Sequence, residues 1–214
     1  MDEMRIDENG NGRVMEQENE RTEGYDRLSY PLKEFKVFEP LFRWARKKSI
    51  WIITFCTGCG GIEMPPLMNA RYDLERFGMM PNPSPRMADL FLITGYVTPK
   101  TLKRIIITYE MMEDPKYVMS HGSCPINGGV YWDSYNVVKQ LDRYIPIDVS
   151  IAGCMPRVEA VMDGIMEIMR KVERGEADGW KRYRDNYEWY SRNQDELFGK
   201  GWRKETARRW LKWL

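Results

Sequence analysis

The chain has 214 residues with 33 Lys and Arg against 32 Asp and Glu, a formal net charge of +1, so no long-range field gathers nucleic acid and none is expected as a partner. Its 43% hydrophobic content suffices for a real core, about one domain's worth of chain with extensions. No window reaches the roughly 20 apolar residues of a membrane-spanning helix, and an acidic start without an apolar run predicts no secretory signal. The chain therefore reads as cytosolic, where its four cysteines are ligands or reactive thiols rather than disulfides.

Residues 1–34 are rich in Glu, Asp, Asn and Gly and read as an acidic flexible arm. Residues 35–49 carry Phe38, Leu41, Phe42 and Ala45 at helical spacing and predict an amphipathic lead-in helix.

The core is expected over residues 50–172. Apolar runs at 50–55, 89–94, 117–120 and 147–152 predict buried strands. Between them, Thr98-Pro99 is a cap and first-turn pair for a helix burying Leu102, Ile105, Ile106 and Tyr109. Residues 133–144, with Val137, Val138 and Leu141, predict another. Pro156 opens a third, with Val158, Val161, Met162, Ile165, Met166, Met169 and Val172 on one stripe. Met64-Pro65-Pro66 marks a further helix start. Alternation of strand and helix implies an α/β fold with a doubly wound, mainly parallel sheet.

In such a sheet ligands bind where the strands end. Cys56 follows the first predicted strand, Cys124 the third and Cys154 the fourth, so these loops should open on one edge, with Cys59 three residues beyond Cys56. All four lie in turns flanked by Gly or Pro, where backbone N–H groups can approach sulfur. From spacing alone an iron–sulfur cluster, a zinc site and unligated thiols all remain open, because Cys-x-x-Cys is shared by zinc ribbons and redox motifs. No Gly-x-Gly-x-x-Gly or phosphate loop is present. His121, the chain's one histidine, reads as a structural histidine satisfied by hydrogen bonds rather than a ligand.

Residues 173–214 hold five of the eight tryptophans and end in a basic run of Arg203, Lys204, Arg208, Arg209 and Lys212. Trp and Arg favour interfaces, so this extension reads as helical and packed on a partner subunit. A rival reading from another class is a zinc-stabilised binding module whose tail grips nucleic acid or protein.

The segments Cys-Gly-Gly-Ile-Glu-Met, Ala-Arg-Tyr-Asp-Leu-Glu-Arg-Phe-Gly, Pro-Arg-Met-Ala-Asp-Leu, Gly-Ser-Cys-Pro-Ile-Asn-Gly-Gly and Ala-Gly-Cys-Met-Pro-Arg-Val-Glu-Ala resemble the small iron–sulfur subunit of respiratory complex I and of membrane-bound [NiFe] hydrogenases. The likeness covers about residues 55–172. It implies a flavodoxin-like fold with N- and C-terminal extensions and one [4Fe–4S] cluster. Cys124 and Cys154 fall on the family's third and fourth ligands. Quinone-reducing members have adjacent cysteines before Ala-Ile-Glu, and hydrogenases have a Cys-x-x-Cys whose second cysteine lies three residues before the Glu. Here Glu63 is four residues after Cys59 and Gly60 stands at the usual last ligand place, so the resemblance implies that Cys59 and Cys56 are the first two ligands, with Cys56 supplying the missing thiolate from upstream.

That arrangement resembles most the archaeal membrane-bound complexes that reduce sulfane sulfur or polysulfide with electrons from ferredoxin. The resemblance implies a hydrogenase-like large subunit, a ferredoxin-like iron–sulfur subunit and antiporter-like membrane subunits as partners. It implies a peripheral place on the cytoplasmic face of the membrane and an electron-relaying role in an ion-pumping oxidoreductase. Glu63 is its candidate for proton coupling. Arg71, Asp73 and Arg76, expected on a helix, and Arg86 and Arg157 are its candidates for subunit contacts.

Overall fold

Short β-branched and aromatic runs free of interior glycine have few ways to bury both faces except as central strands of a parallel sheet. The computed structural model, which describes residues 39–82 and 84–203, shows this arrangement. The acidic arm, residues 35–38 and the basic run from Lys204 lie outside the described residues. The chain divides into two compact units, 1–42 and 43–214. Of the first, only the opening residues of helix α1 (Glu39–Lys48) are described.

The second unit is built on five parallel strands: β1 (Ile50–Cys56), β2 (Met79–Pro81), β3 (Leu90–Thr94), β4 (Tyr117–His121) and β5 (Val149–Ile151). Their order is β2-β1-β3-β4-β5, the flavodoxin-like winding, with its switch point between β1 and β3. Register aligns the strand ends: Cys56 opposes Thr94, and Thr94 opposes His121, which opposes Ile151. The short edge strand β2 escapes sequence reading because three residues ending in proline show no alternation. Proline is tolerated there because the strand lies on the edge of the sheet.

Helices cover both faces: α2 (Gly60–Met68), α3 (Pro99–Met111), the short α4 (Ser123–Asn127), α5 (Val158–Arg174), α6 (Gly179–Asp185) and α7 (Tyr187–Phe198). One face packs Ile52, Leu92 and Met119 under Leu67 of α2 and Val161, Ile165, Ile168 and Val172 of α5. The other packs Phe91, Ile93 and Val118 under Leu102, Ile105, Ile106 and Tyr109 of α3. Each fully buried side chain of this size stabilises the fold by about 1.5–3 kcal/mol relative to exposure.

Local signals agree with the packing. Thr98 and Thr101 exchange side-chain and backbone hydrogen bonds in a capping box, with Pro99 at the first turn of α3. Helix α5 stops where Gly175 takes a left-handed φ of 73° and donates back to Lys171 and Val172 carbonyls. Its Gly164 lets the helix lie directly on β5, since a Cβ there would meet Ile151 Cδ1 at 2.6 Å.

Three expectations are corrected. Residues 133–144 form turns and one 3-10 turn (Leu141–Arg143) instead of a helix. Val138 N–H is tied to Val97 O at 2.7 Å, so Val138 and Leu141 reach the core as anchored loop residues. Residues 69–77 form turns and a 3-10 turn (Leu74–Phe77) rather than a regular helix, with Asp73 left-handed at φ 49°. The helix assigned to Met64-Pro65-Pro66 already starts at Gly60: Ile62 N–H bonds Cys59 O at 2.9 Å. The prolines merely continue it, because their fixed φ suits a helix although each forgoes one hydrogen bond.

The described part of the C-terminal extension, residues 173–203, packs on the core of its own chain. Tyr183, Tyr190 and Trp202 are buried against the α3 face. Arg203 joins Gln194 Oε1 at 2.6 Å, Glu110 Oε1 at 2.9 Å and the Tyr187 hydroxyl.

Candidate metal centre

Parallel winding delivers the loops after β1, β3, β4 and β5 to one edge of the sheet. The β1 exit is held first. Thr57 N–H donates to Thr94 O at 3.2 Å, and its hydroxyl bonds the Thr94 and Tyr96 carbonyls. Gly95, at φ 80°, allows the two exit loops to touch, since a Cβ on it would lie 2.7 Å from Gly58 N. Cys59 then stands as the N-cap residue of α2, and Gly60 seats the helix on Thr94.

The β4 and β5 exits are fastened to each other. Gly122 N–H donates to Ile151 O and Ser123 N–H to Gly153 O, each at 2.9 Å, while Gly153 N–H donates to Ser123 Oγ at 3.1 Å. Cys124 and Cys154 are thereby set across one cleft. Gly129, at φ 56°, leaves space for the Cys124 sulfur, since a Cβ there would approach it to 2.9 Å.

The result is a single cavity lined by Cys59, Gly60, Gly95, His121, Gly122, Ser123, Cys124, Gly153, Cys154, Met155 and Pro156. Three predicted thiols thus meet in one place. Cys56 ends β1 beside it and is exposed. Its thiol points to Gly58 O at 3.3 Å, and its sulfur lies 3.4 Å from the place a Gly61 Cβ would take. Among the described residues no group of three His, Cys, Asp or Glu side chains is gathered tightly enough to hold a single ion.

Electrostatics register the gathering. The Cys124 thiol is pushed above its ordinary range, first by burial and then by the neighbouring Cys154 and Cys59 sulfurs. The backbone N–H of Val130 acts in the opposite sense by bonding the Cys124 sulfur. That donor escapes sequence reading, which pointed to glycine amides, because it comes from a 3-10 turn (Gly129–Tyr131) set by the left-handed Gly128 and Gly129.

Glu63 lies in the first turn of α2, 8% exposed, with Oε2 lacking a hydrogen-bond partner. His121 departs from expectation. It is 3% exposed, yet among the described residues neither ring nitrogen has a partner, and burial lowers its pKa. Of its ladder neighbours, Ile151 is apolar and Thr94 directs its hydroxyl to Phe55 O at 3.5 Å.

Of the outlying charged candidates, Arg71, Arg76, Arg86 and Arg157 are exposed, and Arg76 Nε is 3.9 Å from Asp73 Oδ2. Tyr72, unnoticed in the sequence, donates its hydroxyl to Glu159 Oε1 at 2.6 Å, fastening the segment after α2 to the start of α5. That bond holds the Glu159 carboxyl below its usual range. Met155 of the cavity lining is exposed, as are Tyr96 after β3 and Val130 (66%), Tyr131 and Trp132 (65%) after α4, with the Tyr96 and Tyr131 rings edge-to-face at 5.4 Å. Among the described residues no helix is long and apolar enough to cross a membrane.

The chain is similar to known proteins. A solved structure of the membrane-bound sulfane sulfur reductase (MBS), an archaeal respiratory membrane complex, contains a chain 77% identical to this one. It superposes with a TM-score of 0.77 over 83% of this chain and 100% of that one. The NAD(P)H-quinone oxidoreductase subunits K of Synechococcus sp. strains JA-2-3B'a(2-13) and JA-3-3Ab are each 41% identical over 150 residues, 67% of this chain and 62% of theirs. The chloroplastic subunit K of Chlorokybus atmophyticus is 39% identical over 152 residues, 71% of this chain and 56% of its own. The chain thus spans about three fifths of the length of these curated relatives. The family described as NADH ubiquinone oxidoreductase, 20 Kd subunit, matches residues 56–168, a span that begins at Cys56 and takes in all four cysteines, and the chain belongs to that family.

Proposed function

We propose that this chain carries one [4Fe–4S] cluster on Cys56, Cys59, Cys124 and Cys154 and serves as an electron-relaying subunit, not catalytic alone, of a membrane-bound, ion-pumping oxidoreductase. The observation that carries this reading is the convergence of Cys59, Cys124 and Cys154, from three different strand ends, on one glycine-walled cavity. Cys56, the last residue of β1 and three residues before Cys59, is the remaining thiol of the chain. The donor set fits the group. Four thiolates complement a cubane, whose corners hold them further apart than a single zinc ion would. Burial, and after it the neighbouring Cys154 and Cys59 sulfurs, raises the Cys124 thiol, and the positive charge of iron would offset both costs of holding thiolates there.

When bound, such a cluster passes one electron at a time. The chain's own residues bind it as thiolates, bring Val130 N–H to the Cys124 sulfur and leave glycine-sized clearance around it. Glu63, buried with an unpaired oxygen, is the acid we assign to proton coupling. The exposed aromatic and aliphatic side chains from Tyr96 to Met155 suit docking of a hydrogenase-like large subunit. A ferredoxin-like iron–sulfur subunit and antiporter-like membrane subunits complete the proposed assembly, with this chain peripheral on the cytoplasmic face.

For the terminal acceptor we favour sulfane sulfur or polysulfide, with ferredoxin as donor. Identity to the sulfane sulfur reductase chain is 77%, against 41% to quinone oxidoreductase subunits, and the Cys56–Cys59 spacing departs from the adjacent cysteines of quinone-reducing members. Family membership also weighs against the zinc-module alternative. Iron and acid-labile sulfide on anaerobically purified protein, with EPR after dithionite, test the cluster. About four of each per chain is the expected result, and zinc without sulfide overturns it. Dithionite- or ferredoxin-driven reduction of polysulfide against quinone by the purified complex tests the acceptor.

A further inference from the structure

His121 is the one feature of the cavity wall that the proposed ligand set leaves unexplained. His121 is 3% exposed and is among the residues lining the same cavity as Cys59, Cys124 and Cys154, and among the described residues neither Nδ1 nor Nε2 has a hydrogen-bond partner. It continues the row of Tyr117 and Met119 on the sheet face covered by α2 and α5. Its ladder neighbours offer no replacement: Ile151 is apolar, and the Thr94 hydroxyl is directed to Phe55 O. A neutral imidazole keeps one N–H donor. Buried polar groups are rarely left unpaired, since each costs about 1–3 kcal/mol. A donor without an acceptor in the wall of a thiol-lined cavity is complementary to an electron-rich sulfur within that cavity.

We infer that the His121 ring N–H is a hydrogen-bond donor to a sulfur of the group held by the cysteines, a positioning and tuning contact rather than a ligand. This inference rests on the cluster reading given under Proposed function. An N–H···S bond is stronger when the sulfur carries more negative charge, so it favours the reduced state and raises the midpoint potential.

The test uses the full chain, purified anaerobically with iron and sulfide and labelled with 15N-histidine. His121 is the sole histidine, so the label marks one residue. Pulsed EPR on the dithionite-reduced protein should show a 15N coupling that becomes a 14N coupling in unlabelled protein. His121→Leu should lose that coupling and move the midpoint to more negative potential in an EPR-monitored titration, and His121→Gln, which retains an N–H, should move it less. A normal reduced-cluster spectrum without histidine nitrogen coupling overturns the inference while leaving the cluster reading intact. Absence of any iron–sulfur signal overturns both. The coupling is read on the unsubstituted protein, so the outcome stands even if His121→Leu fails to fold.

Discussion

The α-carbon of Gly60 rests on Thr94 so closely that a Cβ at position 60 would lie 2.2 Å from both Thr94 Cβ and Oγ1. Neither atom is the far end of a flexible chain, so α2 must shift to admit any side chain. Gly60→Ala should therefore cost about 1–3 kcal/mol of stability. It should also lower iron per chain by displacing Cys59, the adjacent residue. Thermal unfolding and iron analysis check this, and Thr94→Gly in the same chain should restore much of the loss. Unchanged stability and iron would mean that the helix is not seated as described.

Cys124 and Cys56 make a paired test of the ligand set. Replacing Cys124 with Ser should abolish turnover of the complex and alter or erase the reduced-cluster EPR signal. Cys56→Ser should reduce iron per chain to a similar extent, although its thiol stands exposed beside the cavity. Full iron and an unaltered spectrum in Cys56→Ser would strike it from the set.

Asp148 is a structural staple with a readable pH signature. Its two carboxylate oxygens accept separately, one from Val118 N–H at 2.9 Å and the other from Gly179 N–H at 3.1 Å, joining β4 to the start of α6. An amide side chain keeps only one of those acceptor oxygens, so Asp148→Asn should destabilise by about 1–3 kcal/mol. Burial, outweighing those bonds, raises the Asp148 pKa above the ordinary 3.8. The folded state therefore keeps its proton to higher pH than the unfolded chain, and this contribution to stability is lost as pH rises through the folded pKa. The advantage of wild type over Asp148→Asn should accordingly be larger near about pH 4 than near about pH 7, measured by denaturant unfolding at both.

Arg203 holds the C-terminal extension to the core through Glu110 on α3 and Gln194 and Tyr187 on α7. The pair with Glu110 is partly exposed, so Arg203→Ala should cost only about 1–2 kcal/mol. Its signature is local: faster amide exchange across α7 with α3 unchanged. Arg203→Lys should recover little, since an ammonium cannot reproduce the guanidinium fork.

Much of this was legible in the chain. The apolar runs at β1, β3 and β4 and the stripe of α5 identify themselves because burial on both faces, or on one helical face, demands unbroken periodicity. The order of strands, with cysteines at the ends of the first, third and fourth predicted ones, already predicts that Cys56, Cys124 and Cys154 share an edge, because right-handed crossovers leave the strands parallel. The neighbouring glycines announce the turn at Cys59 and the bend at Cys154, whereas Cys56, also read as a turn residue, ends β1 and Cys124 lies in the short helix α4.

Other features were decided by contacts between distant segments. Residues 133–144 have helical spacing but are held as a loop by the Val138–Val97 bond. The three residues of β2 become a strand only because β1 offers an unpaired edge. Trp202, read as an interface residue, buries itself in its own core. His121 reads in sequence as an ordinary satisfied histidine, yet in the fold, among the described residues, both its nitrogens are without a partner. Periodicity and turn chemistry are local and so appear in sequence, whereas the pairing of a buried polar atom depends on what the rest of the chain brings within about 3 Å of it.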